Sequence, residues 1–336
     1  MNALTLETEK EVSPEEELQS RPLLGLEAVD RVELTTLVDN TIDALLPSTE
    51  MVRRAPRDAV LGGPRSRLRA EHGFSTLVTV VKGGSRHSLL FDAGLTRDGL
   101  IQNMEILEVN PSDLRAVVLS HGHADHTLGL VGMLQWRGER SLPLVIHPDA
   151  FRTRKVVFPD GHEIRLPPPN RADLEAEGIE LIEELGPSYL LENTILITGQ
   201  VPRQTGFEKG FPIHYADVNG RWEPDPWIHD DQAIVMRVRG KGLIVLTGCG
   251  HSGLINILLH ARTLTGGEQI HAVLGGFHLT GGLFDPIIPD TIRELRQFAP
   301  SLIVPGHCTG WKATHAIAAA LPQAFVQNSV GTTFIV

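Results

Sequence analysis

Four side chains within a six-residue stretch, His121, His123, Asp125 and His126, could do chemistry together; they sit in the run SHGHADH that starts at Ser120. Three imidazoles and a carboxylate this close are costly to bury unless something pairs them, because each gives up its water. A metal satisfies all four. Neutral imidazole suits Zn, Fe, Ni or Mn, and carboxylate suits the harder end of that range. Small residues, Gly122 and Ala124, alternate with the polar ones, so His121 and His123 can face one ion while Asp125 and His126 face a second. The plainer alternative is a polar helix start with Asp125 as its N-cap, which leaves the three histidines unexplained.

Three more histidines repeat one placement. His251 follows LIVLTGCG, His278 follows AVLGGF and His307 follows LIVPG. Each is a strand-like run, with glycine nearby to allow close backbone approach. One such histidine would be an ordinary loop residue, but three point to a shared pocket. His72, His87, His162, His260 and His315 are expected to be surface or structural residues. The two cysteines, Cys249 and Cys308, lie in GCGH and GHC. That placement suggests a reducing compartment and site chemistry rather than a disulfide framework.

The elements that must position these residues are strands. VELTTLVDN (32–40) opens the ordered chain, and FSTLVTVVKG (74–83) and HSLLFDAG (87–94) make a hairpin around Gly83 and Gly84. A helix is expected over 97–107, then the strand AVVLS (116–120), a helix from about Thr127, and the strand LPLVIHPDA (142–150). The stretch 151–230 is less regular, with a short helix at 171–177 and the strand TILITG (194–199). Its last part, 200–230, is rich in Pro, Gly and aromatics and is expected to be a long loop or lid over the site. From 232 strands and helices alternate to the C-terminus. Strands first and alternation later fit an α/β protein, two sheets packed together with helices on both outer faces.

The chain has 336 residues, 41% hydrophobic and 21% charged, enough for a sizeable core in one domain. Its net charge of -11 carries no basic footprint for nucleic acid or anionic membranes. An anionic small-molecule substrate would need local positive charge, from metal and arginine. Residues 1–30 are Glu-rich and are expected to form a flexible acidic arm, and 31–336 the catalytic domain. The arm has no apolar secretory core, and no apolar run is long enough for a membrane span, so a cytoplasmic location is expected. The arginines from Arg53 to Arg69 are expected in a solvated loop. A homo-oligomer is compatible with this sequence.

HxHxDH after a strand, Asp92 at the end of an earlier strand in LLFDAG, and the late pair Gly306-His307 together resemble the metallo-β-lactamase superfamily. The finer pattern is similar to its dihydropterin/ribofuranosylaminobenzene-phosphate synthase-like branch: LVDN (37–40), AEHG (70–73), SHGHADHTLG (120–129), PRQTGFE (202–208), DDQA (230–233), GCGHSG (248–253), GGFHL (275–279) and GHCTG (306–310). The resemblance implies a four-layer αββα sandwich with two divalent transition metal ions at one edge of the sheets. Zinc is the first choice, with Mn, Fe or Ni as alternatives.

Two positions depart from the common hydrolases of that superfamily. Gln200 stands where they place a third histidine, and Cys249 where they place a bridging aspartate. The first choice for the missing ligand is His251, and His307 would complete the second ion. His278 would be a ligand or a proton-transfer residue, and Asp125 would serve in catalysis as well as in binding metal. Cys249 would be a ligand, a neighbouring thiol or a small buried residue, and Asp92 would orient a ligand histidine. Arg203 and Lys209 could hold an anionic group, with Phe207, Trp222 and Trp227 as an apolar wall. The implied activity is a metal-dependent hydrolase acting on an ester, lactone or phosphoester. The alternatives are a transferase in which an arylamine displaces pyrophosphate from a dihydropterin, a flavo-diiron-like redox enzyme, and a protein that only binds or senses a ligand.

Overall fold

The computed structural model describes residues 25–62, 67–138 and 141–336. Its core is two sheets face to face. The eight-stranded sheet runs, in spatial order, Ile179–Glu183, Leu142–Ile146, Leu114–Val118, Ser85–Phe91, Ser75–Lys82, Arg31–Val38, Thr333–Ile335 and Val52–Arg53. The seven-stranded sheet runs Ser188–Leu190, Ile195–Ile197, Ala233–Val238, Gly242–Thr247, Ile270–Gly276 and Leu302–Gly306, with Ala28–Val29 paired to Ala233–Val238.

Alternation along the strands decides which layer each side chain enters. Leu89 and Phe91 point between the sheets with Val78, Val118, Ile244 and Leu246. Leu90 and Val117 point the other way, onto Leu100, Met104, Leu130 and Met133 of the helices Gly99–Ile106 and Gly129–Arg137. On the opposite outer face Val245, Val273 and Ile303 meet Leu254, Ile257, Leu258 and Ala261. Those four recur at helical spacing on Leu254–Leu264. Each fully buried aliphatic side chain contributes about 1.5–3 kcal/mol, so the expected αββα layering follows from two-faced strands.

Two expectations need correction. Residues 25–30 of the acidic arm are ordered: Leu26 and Val29 are buried and Ala28–Val29 pairs with the sheet. The rest of the arm, 1–24, lies outside the described residues. The second concerns 200–230. Part of it is a hairpin, His214–Val218 with Arg221–Pro224, in a third, four-stranded sheet with Arg154–Val157 and Glu163–Leu166. Its turn is Asn219-Gly220, both at positive φ, as a tight two-residue hairpin requires.

No described helix is long and apolar enough to cross a membrane. Arg54 and Arg67 of the arginine-rich stretch bond to nearby backbone carbonyls, and Arg69 pairs with Asp98. Arg65 lies outside the described residues.

Candidate metal centre

Strand direction brings the candidate residues together. Gly242–Thr247, Ile270–Gly276 and Leu302–Gly306 are mutually parallel, so GCGH, GGFH and GH all emerge at one edge. In the other sheet Ser85–Phe91 and Leu114–Val118 are parallel too, and they deliver Asp92 and the HGHADH loop to the same place. Close backbone approach is part of the construction: a Cβ on Gly248 would collide with Ser120 Oγ and with Asp92 Oδ2. Asp92, His278 and His307 all adopt positive φ, a conformation that costs a non-glycine residue about 1–3 kcal/mol and clusters at functional sites.

The hydrogen bonds assign which nitrogen each imidazole can offer. His126 Nδ1–H donates to Asp92 Oδ2 at 2.7 Å, leaving the Nε2 lone pair free. Ser120 Oγ donates to the same carboxylate oxygen at 2.7 Å and so accepts from His121 Nδ1–H at 2.9 Å. His121 Nε2 is then a buried acceptor with no partner. Asp92 thus orients both imidazoles, and its other oxygen accepts from Ser120 N–H. His251 Nε2 lies 3.2 Å from His123 Nδ1, and with His121 these atoms form one group of three. His126 Nε2 lies 3.1 Å from His307 Nε2 and 3.2 Å from Cys249 Sγ. Asp125 Oδ2 is 3.3 Å from His307 Nε2.

These separations suit a metal. Nitrogen and oxygen ligands about 2.0–2.1 Å from a tetrahedral ion stand about 3.3–3.4 Å from one another, and the distances here, 3.1 to 3.3 Å, are slightly shorter than or at that spacing. The charge states suit one as well. Burial, reinforced by the neighbouring imidazoles, holds His121, His123 and His251 far below the usual histidine value, in the neutral ligand form. Burial alone would raise Asp125, but His126, His307 and His123 outweigh it and keep its carboxyl ionised. For His307 burial opposes charge, yet Cys308, Asp125 and Asp39 raise it to about 9. A field that holds a proton on that imidazole favours a metal cation in the proton's place.

The remaining candidates divide. His278 does not join the group around His121 and His123; its ring stands 4.1 Å from that of His251 and 4.5 Å from Phe284. His278 and His251 line a cavity of about 470 Å³ walled by Phe207, Phe277 and Phe284, with Lys209 on its lining. Arg203 and Trp227 are not on that lining. The Arg203 guanidinium bonds the carbonyls of Val201 and Trp227, and burial lowers its pKa. Trp222 lies on the third sheet under Lys155 and Arg165. Gln200 bonds His229, away from the cluster. Of the histidines expected to be peripheral, His260 is structural, bonded to the Thr198 carbonyl. His72 instead stands at the mouth of the site, 3.6 Å from Asp125 Oδ2.

Two contributors, Asp39 and His214, have no role expected from the sequence, and Cys308 joins them at the site as its GHC placement suggests. Asp39 ends the strand Arg31–Val38 and accepts from the His307 backbone N–H at 2.8 Å. Cys308 Sγ lies 3.3 Å from the Cys249 carbonyl oxygen. His214 Nε2 meets His123 Nε2 at 3.0 Å. For Asp39 the signal was its place at a strand end. His214 carried none, being a single histidine in an aromatic-rich stretch.

A family model of the metallo-beta-lactamase superfamily matches residues 72–307. The chain is 30% identical over 279 residues to 7,8-dihydropterin-6-methyl-4-(beta-D-ribofuranosyl)-aminobenzene-5'-phosphate synthase of Methanocaldococcus jannaschii, covering 80% of this chain and 91% of that one. An uncharacterized protein of the same organism is 31% identical over 254 residues, covering 73% of this chain and 86% of its own length. Among solved structures, Tm1679, a metal-dependent hydrolase of the beta-lactamase superfamily, superimposes with a TM-score of 0.69 at 23% identity. That match covers 90% of this chain and 98% of that one.

Proposed function

Because the chain belongs to the metallo-beta-lactamase superfamily, we propose that it is a metal-dependent enzyme of the synthase kind, joining an arylamine to a dihydropterin with loss of pyrophosphate. The observation that carries this reading is the cavity. It opens beside His251 and His278 and is walled by three phenylalanines, a surface suited to a flat heteroaromatic ring. The synthase relative, matched over nearly its whole length, supports the same choice over hydrolysis.

In this reading His121, His123 and His251 would hold one divalent ion, and Asp125, His126 and His307 a second, with Cys249 Sγ 3.2 Å from His126 Nε2. Zinc is the first candidate. Two such ions, when bound, supply Lewis acidity for a departing diphosphate and lower the pKa of a nearby nucleophile. The chain's own residues do the rest. Asp92 keeps His126 Nε2 and, through Ser120, His121 Nε2 free of protons. His278 lines the cavity and can take the proton the amine releases. Phe207, Phe277 and Phe284 keep water from the ring, and Lys209 offers its charge to a phosphate.

Hydrolysis is the second reading, because Asp125 keeps about a fifth of its side chain (21%) open to solvent beside His72, giving water access to the centre. The test is to supply the metal-loaded protein with a dihydropterin diphosphate, with and without the aminobenzene ribofuranoside phosphate. Pyrophosphate release that needs both substrates supports the synthase. Release without the amine, or turnover of lactones or phosphodiesters, supports the hydrolase. If neither occurs, both readings fail.

A further inference from the structure

His214 lies on the third sheet, outside every group of candidate metal ligands, yet it is fully buried and its Nε2 stands 3.0 Å from His123 Nε2. Two imidazole nitrogens at that distance need one proton between them, and the surroundings settle whose it is. His214 Nδ1 faces the Asp225 backbone carbonyl at 3.0 Å. A carbonyl only accepts, so His214 carries its proton on Nδ1, and the Nε2 of a neutral His214 is an acceptor. With His214 neutral, His123 donates from Nε2, which leaves its Nδ1 as a lone pair pointing at His251 Nε2, 3.2 Å away.

We propose that His214 is a positioning residue for the metal centre, which selects the Nδ1-ligating tautomer of His123 by accepting a hydrogen bond from its Nε2–H. The proposal rests on the metal-centre reading above and not on the choice between synthase and hydrolase.

The third sheet is built to hold that contact. Arg154, almost fully buried, bonds Asp225 Oδ2 at 3.0 Å and Asp230 Oδ2 at 2.9 Å. Asp225 carries the carbonyl that orients His214, and its own N–H donates to the His214 carbonyl at 2.8 Å. Asp230 accepts from the N–H of Gly122 at 2.8 Å, the residue between His121 and His123. One guanidinium thus anchors both the backbone of the ligand loop and the imidazole that sets its second histidine. A hydrogen bond that fixes a ligand imidazole is worth about ten- to a hundredfold in metal affinity.

The test compares variants that fill the same space with different chemistry. His214→Gln places an acceptor oxygen near the former Nε2, while His214→Met fills the volume without a good acceptor. Zinc affinity is read by competition with a chromophoric chelator. We expect His214→Met to weaken the tighter site about ten- to a hundredfold and His214→Gln to recover most of that loss. Equal affinities in the two variants, whether both like wild type or both weakened, overturn the proposal.

A second measurement needs no variant. Long-range proton–nitrogen spectra of the zinc-loaded wild type, labelled at histidine, should show His123 protonated at Nε2 and His214 at Nδ1. The opposite tautomer on either residue overturns the proposal. A wild type that takes up no zinc would instead defeat the metal-centre reading on which it rests.

Discussion

Replacing Asp92 with Asn keeps the side chain's size and suits the backbone, since Asn tolerates the positive φ of 59° at this position. It changes only what the side chain can accept. The carboxylate takes three hydrogen bonds of 2.7 Å, from Ser120 N–H, Ser120 Oγ and His126 Nδ1–H. An amide has one accepting oxygen, so at least one of these fully buried donors loses its acceptor. A lost hydrogen bond to a charged group costs about 1.5–3 kcal/mol. If it is the bond from His126, the proton moves to Nε2 and the lone pair facing His307 and Cys249 is gone. At about 1.4 kcal/mol per decade the loss appears as about a ten- to hundredfold weaker second metal. Titration against a competing chelator, with circular dichroism to verify folding, measures it. Wild-type affinity within twofold in a folded Asp92→Asn protein would refute the reasoning.

Other consequences follow from the same geometry. Phe284→Ala removes a wall of the cavity and should raise KM for an aromatic substrate by about tenfold with kcat little changed; an unchanged KM would take the substrate out of that cavity. Gly248→Ala must push Ser120 and Asp92 aside, so urea unfolding should show a loss of about 1–3 kcal/mol. A stability equal to wild type would mean the strand ends sit further apart than described. Glu208 is pushed up to about 6 from 4.5 by burial, against the hydrogen bonds from Ile255 N–H and Asn256 N–H. The folded state therefore holds the extra proton between those two values, and Glu208's contribution to stability falls as pH rises through that window. Glu208→Ala should cost about 2 kcal/mol more at pH 4.5 than at pH 7, read as the difference in unfolding free energy; the reverse order would contradict the assignment.

What could be read in advance depended on whether the signal was local. HGHADH packs its chemistry into one turn, and the strand runs before His251, His278 and His307 announce buried strands, so the cluster and both main sheets were legible. The third sheet was not. Its edge strands, such as Glu163–Leu166, are exposed and their polar residues resemble a loop, although Asn219-Gly220 marked the hairpin. Arg203 and Trp227 show the reverse error. Charge and aromaticity made them substrate candidates, but only the folded chain reveals that the guanidinium is spent on the Val201 and Trp227 carbonyls. His214 was out of reach because its role depends on a partner 91 residues away in sequence and on a carbonyl that fixes its proton.

The claim beneath all of this is that side chains distant in sequence converge to bind divalent metal. Elemental analysis of protein purified without chelators, before and after incubation with zinc, tests it most directly. The account predicts two ions per chain, falling to one or fewer in a folded His126→Ala protein. Less than one equivalent of any transition metal, with none gained on incubation, would contradict it.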